Sequence, residues 1–153
     1  VYGEVEIKNL EDFFEALKKN KCEAVFINSD YILDLEVIRF AARKALRSWK
    51  NGKNIAKTLP IEVLLYIAAR RQINEALEIG IKEGLNKVII VLFDDCLDVL
   101  EELGFIKKRF IPKPDIKKIL EFYGINKEEL EIVGIKKLSL LIKERIVLFD
   151  ISK

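Results

Sequence analysis

The stretch "KVIIVLF" at residues 87–93 limits the possible folds more than any other segment. Seven residues, five of them β-branched or aromatic, run without the polar alternation of a surface strand. Such a run reads as a strand covered on both faces, central in a sheet. Other segments must therefore supply its neighbours. Val1-Gly3-Val5-Ile7 alternates with polar residues as a half-buried strand does, and "EAVFIN" at 23–28 is a second short apolar run. "RIVLFDI" near the end reads as a last strand, and "KKLSLLIK" before it fits either a helix or a strand.

The intervening segments carry helical spacing. "LEDFFEALKK" places Phe13, Phe14 and Leu17 on one side. Asp34 is positioned to cap a helix running to about Lys50, with Gly52 as its stop, and Leu35, Ile38, Ala42, Ala45, Leu46 and Trp49 form its expected core face. A linker, "NGKNIAKTL", leads to Thr58 as N-cap and Pro60 in the first turn of a helix expected over 60–79. Further helices are expected over 95–103, over 115–123 closed by Gly124, and over 127–132 capped by Asn126, with "KKRFIPKPD" as an irregular connection. Strands and helices interleave too irregularly for a doubly wound sheet. The expected fold is α+β or mixed α/β, with one small, mixed or mostly antiparallel sheet and helices packed around it. At 153 residues the chain is expected to be one domain, 1–153.

Several chemistries are excluded by what the chain lacks. It has no histidine, which removes the commonest general base and the usual zinc ligands. Its glycines give neither GxGxxG nor GxxxxGK[ST], and no GxSxG occurs. Asp94-Asp95, directly after the central strand, is the one arrangement suited to holding Mg²⁺ for phosphoryl transfer. The simpler reading makes one of them the cap of the next helix. Cys22 and Cys96 lie far apart and outside any CxxC, so two buried free thiols are expected over a disulfide. No leader and no run of membrane-spanning length is visible, and a cytoplasmic, non-catalytic protein without cofactor or metal is expected. A lean toward isoleucine, lysine and glutamate resembles a hyperthermophile composition.

Charge then singles out the middle of the chain. The whole is close to neutral at +2, yet residues 43–87 hold ten cations against four acids. Arg39, Arg43, Arg47 and Lys50 recur at spacings of four, four and three, one stripe of a helix. Further on, "IEVLLYIAARRQINEAL" is apolar on every side until residue 69 and polar at 70–72. Arg70 and Arg71 either pair with acids such as Glu75 and Glu78 or meet an external anion. The nearby basic stripe, Lys53 and Lys57 in the linker, and Gln72 as the chain's single glutamine favour the anion, with a polyanion as the partner to expect.

The segment 54–81, "NIAKTLPIEVLLYIAARRQINEALEIGI", resembles the signature of the kinase-binding subunit of the KEOPS (EKC) complex, the family of the PRPK-binding protein. Its Asn-Ile-Ala falls on Asn54-Ile55-Ala56, its Leu-Leu-Tyr on Leu64-Leu65-Tyr66 and its Arg-Gln-Ile on Arg71-Gln72-Ile73, followed by Ala76 and Gly80-Ile81. Ala69 departs from it, standing where the pattern usually has glycine. The resemblance is close over 24–84 and loose elsewhere. It implies a non-catalytic subunit that binds a small Bud-type protein kinase and tunes its activity. Archaeal members also hold the single-stranded 3′ CCA end of tRNA for threonylcarbamoyladenosine formation. On that resemblance Arg70, Arg71, Gln72 and Ile73 are expected at the RNA end, with Lys57, Asn54, Arg39, Arg43 and Arg47 along the phosphates. A Mg²⁺-dependent phosphate-handling enzyme built on Asp94/Asp95 and a protein-only scaffold are the competing readings.

Overall fold

A computed structural model describes residues 1–153. Contacts gather them into two units, the first formed by Val1–Ser29 and Ile79–Pro112, the second by Asp30–Glu78 and Lys113–Lys153.

The first unit is a four-stranded antiparallel sheet with two helices: β1 (Tyr2–Ile7), α1 (Leu10–Lys19), β2 (Ala24–Asn28), β3 (Gly84–Leu92), α5 (Leu97–Glu102) and β4 (Ile106–Lys107). Strand order is β2-β3-β1-β4, so the continuous apolar run does become an interior strand. Val88, Ile89 and Ile90 are all buried, on both faces of β3. Pairing aligns Tyr2 with Ile89 and Ala24 with Leu92. Val5, Ile7, Phe26, Val88 and Ile90 join Phe13 and Leu17 of α1 and Leu100 of α5 in one apolar cluster. Gly3 is required in β1: a Cβ there would lie 2.3 Å from the Ile106 carbonyl oxygen and 2.4 Å from the Phe105 ring.

Cys22 and Cys96 form a disulfide, contrary to the expected free thiols. Distance along the chain misled, because β2 and β3 pair antiparallel and bring the residue before one strand beside the residue after the other. Their Cα atoms stand 5.6 Å apart, within bridging reach. Asp94 is not a helix cap either. Its carboxylate accepts from the Glu23 N–H at 3.1 Å, and Cys96, not an aspartate, occupies the N-cap position of α5.

The second unit is helical: α2 (Leu35–Lys50), α3 (Leu59–Ala68), the single turn α4 (Ile73–Ala76), α6 (Ile116–Tyr123), α7 (Lys127–Val133) and α8 (Leu138–Ser152). The caps at Asp34, Asp115 and Asn126 accept from the N–H groups of Val37, Lys118 and Glu129. Thr58 occupies the cap position of α3 without a side-chain bond. The buried face of α2 is Val37, Ile38, Ala41, Ala45 and Ser48, turned by about one residue from the expected one, so that Leu35 and Leu46 are exposed. "RIVLFDI" is helical, not a strand. Leu138, Leu141, Ile142, Ile146 and Phe149 of α8 recur at helical spacing and are buried. No helix is long and apolar enough to cross a membrane.

Candidate nucleic-acid interface

The expected helix over 60–79 stops at Ala68. Ala69 adopts φ +53°, in the left-handed region, and its N–H bonds to the Tyr66 carbonyl at 3.2 Å. The Arg70 N–H then reaches back to the Leu65 carbonyl at 3.1 Å. These two bonds make a Schellman ending, which reverses the chain and satisfies carbonyls left open by the helix. The position is the one where the family pattern usually has glycine, the residue that enters this conformation without a Cβ penalty.

Past the turn, the three polar residues divide in role. The Arg70 guanidinium lies over the Phe122 ring, 4.5 Å from its centroid, and donates to the Phe122 carbonyl oxygen. Its place is half-buried, against the end of α6. Arg71 and Gln72 are exposed, Ile73 is 47% exposed, and no ion pair joins Arg71 to Glu75. The aromatic wall beside them is fixed by a T-shaped Phe122–Tyr123 contact at 5.2 Å and by the Tyr123 hydroxyl donating to the Ile67 carbonyl at 2.7 Å. Burial raises the pKa of that hydroxyl and keeps it a donor.

A cleft of about 450 Å³ opens here, lined by Ala69, Arg70, Arg71, Phe122, Tyr123 and Arg145 among others. Arg145 of α8 is already engaged. It donates to the Tyr123 and Gly124 carbonyls at 3.3 and 3.1 Å and binds the Glu129 carboxylate through both of its oxygens at 3.0 and 2.9 Å. These bonds hold the Glu129 carboxyl below its ordinary pKa. A second hollow of about 300 Å³ shares Arg70 and Phe122 and adds Tyr31, Glu78 and Lys118. Arg71 is therefore the cleft arginine without an internal partner. The Phe122 and Tyr123 rings are themselves buried, so what the arrangement leaves exposed is a cation, an amide and the apolar Ile73.

The other expected contact residues lie elsewhere in this unit. Arg39, Arg43 and Arg47 are exposed on α2, with Arg39 paired to Glu36 at 3.1 Å. Lys57 is exposed, whereas the Asn54 side-chain amide donates to the Ala56 carbonyl at 2.8 Å and shapes its own loop. Asn54 and Lys57 precede α3 while Arg70–Ile73 follow it, so a ten-residue helix, about 15 Å long, separates the two groups.

Sequence reasoning missed Glu62, the fully buried acid in the apolar run of α3. One carboxylate oxygen accepts from the Ile55 and Ala56 N–H groups at 3.0 and 2.9 Å; the other accepts from the Ser48 hydroxyl at 3.2 Å and faces the Lys153 ammonium at 3.8 Å. A lone acid inside "LPIEVLLYIA" was the readable sign, because a buried carboxylate needs partners. Arg145 and Phe122 left no such sign. No group of three or more Asp, Glu, Cys or His gathers anywhere as metal ligands, including around Asp94 and Asp95.

The antiparallel sheet and the helical unit define an α+β protein, and the helical unit carries a cleft lined by three arginines. The sequence model of the kinase binding protein CGI-121 family matches residues 5–150, and the chain belongs to that family. The KEOPS complex subunit Cgi121 of Pyrococcus abyssi (strain GE5 / Orsay) is 33% identical over 82 residues, 50% of this chain. That match spans about half the relative's own length, 48%.

Proposed function

We propose that the chain is a non-catalytic subunit of a KEOPS complex that works in the cytoplasm. It binds a small Bud-type protein kinase, tunes its activity and holds the single-stranded 3′ CCA end of tRNA for threonylcarbamoyladenosine formation. Membership of the kinase-binding family supports the assembly and the partner. The observation that carries the RNA part is the exposed Arg71 side chain, which lines a cleft whose other arginines, Arg70 and Arg145, are already bonded, and which is followed by the exposed side chains of Gln72 and Ile73. In this reading Arg71 meets a phosphate and Gln72 a base edge. Ile73 and the plane of Arg70 provide apolar and stacking surface, and Lys57 with Arg43 and Arg47 follows the backbone.

The test compares tRNA with and without its terminal CCA, bound to wild type and to Arg71→Ala. Arg71→Ala should weaken intact tRNA by roughly tenfold or more, with no change in melting temperature, and should lower the log–log salt slope by about one. Trimming the CCA should weaken wild type and leave little further for the variant to lose. Equal affinity of wild type and variant for intact tRNA would remove this site. For the kinase, adding the subunit should change its ATP turnover, and co-purification should survive Arg71→Ala.

A further inference from the structure

Residues 106–113, "IKKRFIPK", are eight consecutive exposed residues containing four cations and no acid. The part within the first unit is Ile106–Pro112, in which Ile106 and Lys107 form the edge strand β4 and Lys108–Pro112 follow it. Phe110 is 79% exposed, while Phe105, five residues earlier, is 4% exposed and belongs to the core. Arg109 lies 5.6 Å from the Phe110 ring centroid. The base of the loop is fixed: Lys107 pairs with Gly3, the Lys108 N–H bonds to the Tyr2 carbonyl at 2.9 Å, and the Lys108 ammonium meets Glu4 at 3.6 Å. Pro112 restricts the exit.

We propose that this loop is a second RNA contact, in which Lys107 and Arg109 take phosphates and Phe110 stacks on an unpaired base. The inference rests on the reading of the chain as a tRNA-binding subunit, and it concerns nucleotides other than the 3′ end. Cations alone would suit any acidic surface. A bare aromatic ring set among them, on an anchored and proline-stiffened loop, suits a nucleic acid, because every base offers a flat face and every link a negative charge. The fixed base of the loop lowers the ordering cost of contact.

The experiment measures binding of intact tRNA, the same tRNA trimmed of its CCA, and a short CCA-ended oligonucleotide, from about 50 to 200 mM salt. Lys107→Ala/Arg109→Ala should weaken both tRNAs by roughly tenfold and flatten the log–log salt slope by about 1.5. Phe110→Ala should weaken them by roughly 5- to 100-fold. Neither should alter the oligonucleotide or the melting temperature, since these side chains are exposed. Arg71→Ala should do the reverse, affecting the oligonucleotide and intact tRNA but not trimmed tRNA. Loop variants that bind trimmed and intact tRNA as wild type does overturn the proposal, whatever Arg71→Ala does. A silent Arg71→Ala beside weakened loop variants removes the 3′-end site and leaves the loop standing. Loop variants that lose only the kinase, or only phosphatidylserine vesicles, overturn it as well.

Discussion

Ala69 holds a backbone conformation that costs an alanine roughly 1–2 kcal/mol, because its Cβ crowds the neighbouring carbonyl. The chain accepts this cost because the turn aims Arg70 at Phe122 and sets Arg71 outward. Ala69→Gly should therefore stabilise the fold by about 0.5–1 kcal/mol, the relief of strain exceeding the added freedom of the unfolded chain. A higher denaturant midpoint with unchanged slope would show it. Ala69→Val should lower the midpoint, since a β-branched residue tolerates this region least. A midpoint unmoved by glycine would mean that the turn carries no strain at residue 69.

At the scale of elements, the same ending recurs through the fold, and residue identity decides whether it can be read. α2 and α6 close on Gly52 and Gly124, with N–H groups bonding back in the Schellman pattern, and both stops were legible. α1 and α3 close on Lys21 and Ala69 with the same two bonds and the same φ of +53°. Neither residue announces a stop, so the spacing predicts one helix over 60–79 across a turn that divides it. The exposure of Arg71, Gln72 and Ile73 at the end of the apolar run was legible, but the different environments of Arg70 and Arg71 were not. Arg70 differs from Arg71 only through Phe122, more than fifty residues away. α8 was hidden for another reason. Leu140, Leu148 and Ile151 are exposed apolar residues on its outer side, and they cancel the periodic signal that separates helix from strand. The loop before α3 depends on a contact of shorter reach, from Ile55 and Ala56 to Glu62. Glu62→Gln removes the charge that two loop N–H groups, a hydroxyl and an ammonium share, and should cost about 1–3 kcal/mol. Hydrogen exchange at the Ile55 and Ala56 amides should accelerate with it. Exchange unchanged at both amides would show that the loop holds its form without the carboxylate.

At the scale of the whole molecule, the decisive long-range link is covalent. The strand pattern made the antiparallel sheet legible, because a doubly apolar run must sit between neighbours. The pairing of β2 with β3 then set the distance between Cys22 and Cys96, which no spacing in the sequence encodes. The disulfide closes a separation of 74 residues. By chain entropy such a closure contributes about 4 kcal/mol, through the states it removes from the unfolded chain. A structural disulfide fits the hyperthermophile-like composition, since proteins of such organisms are often rich in them. Reduction, or Cys22→Ala/Cys96→Ala, should therefore lower the unfolding free energy by up to about 4 kcal/mol, read from guanidinium midpoints with and without reductant. Both cysteines lie in the sheet unit, so the loss of amide protection should be greatest at residues such as Val5 and Ile90. Amides of buried residues in the helical unit, such as Leu65 and Ile142, should lose less. Equal loss in both units would show that the two unfold as one cooperative body. An unchanged midpoint would show that the sheet's apolar cluster alone holds these ends together.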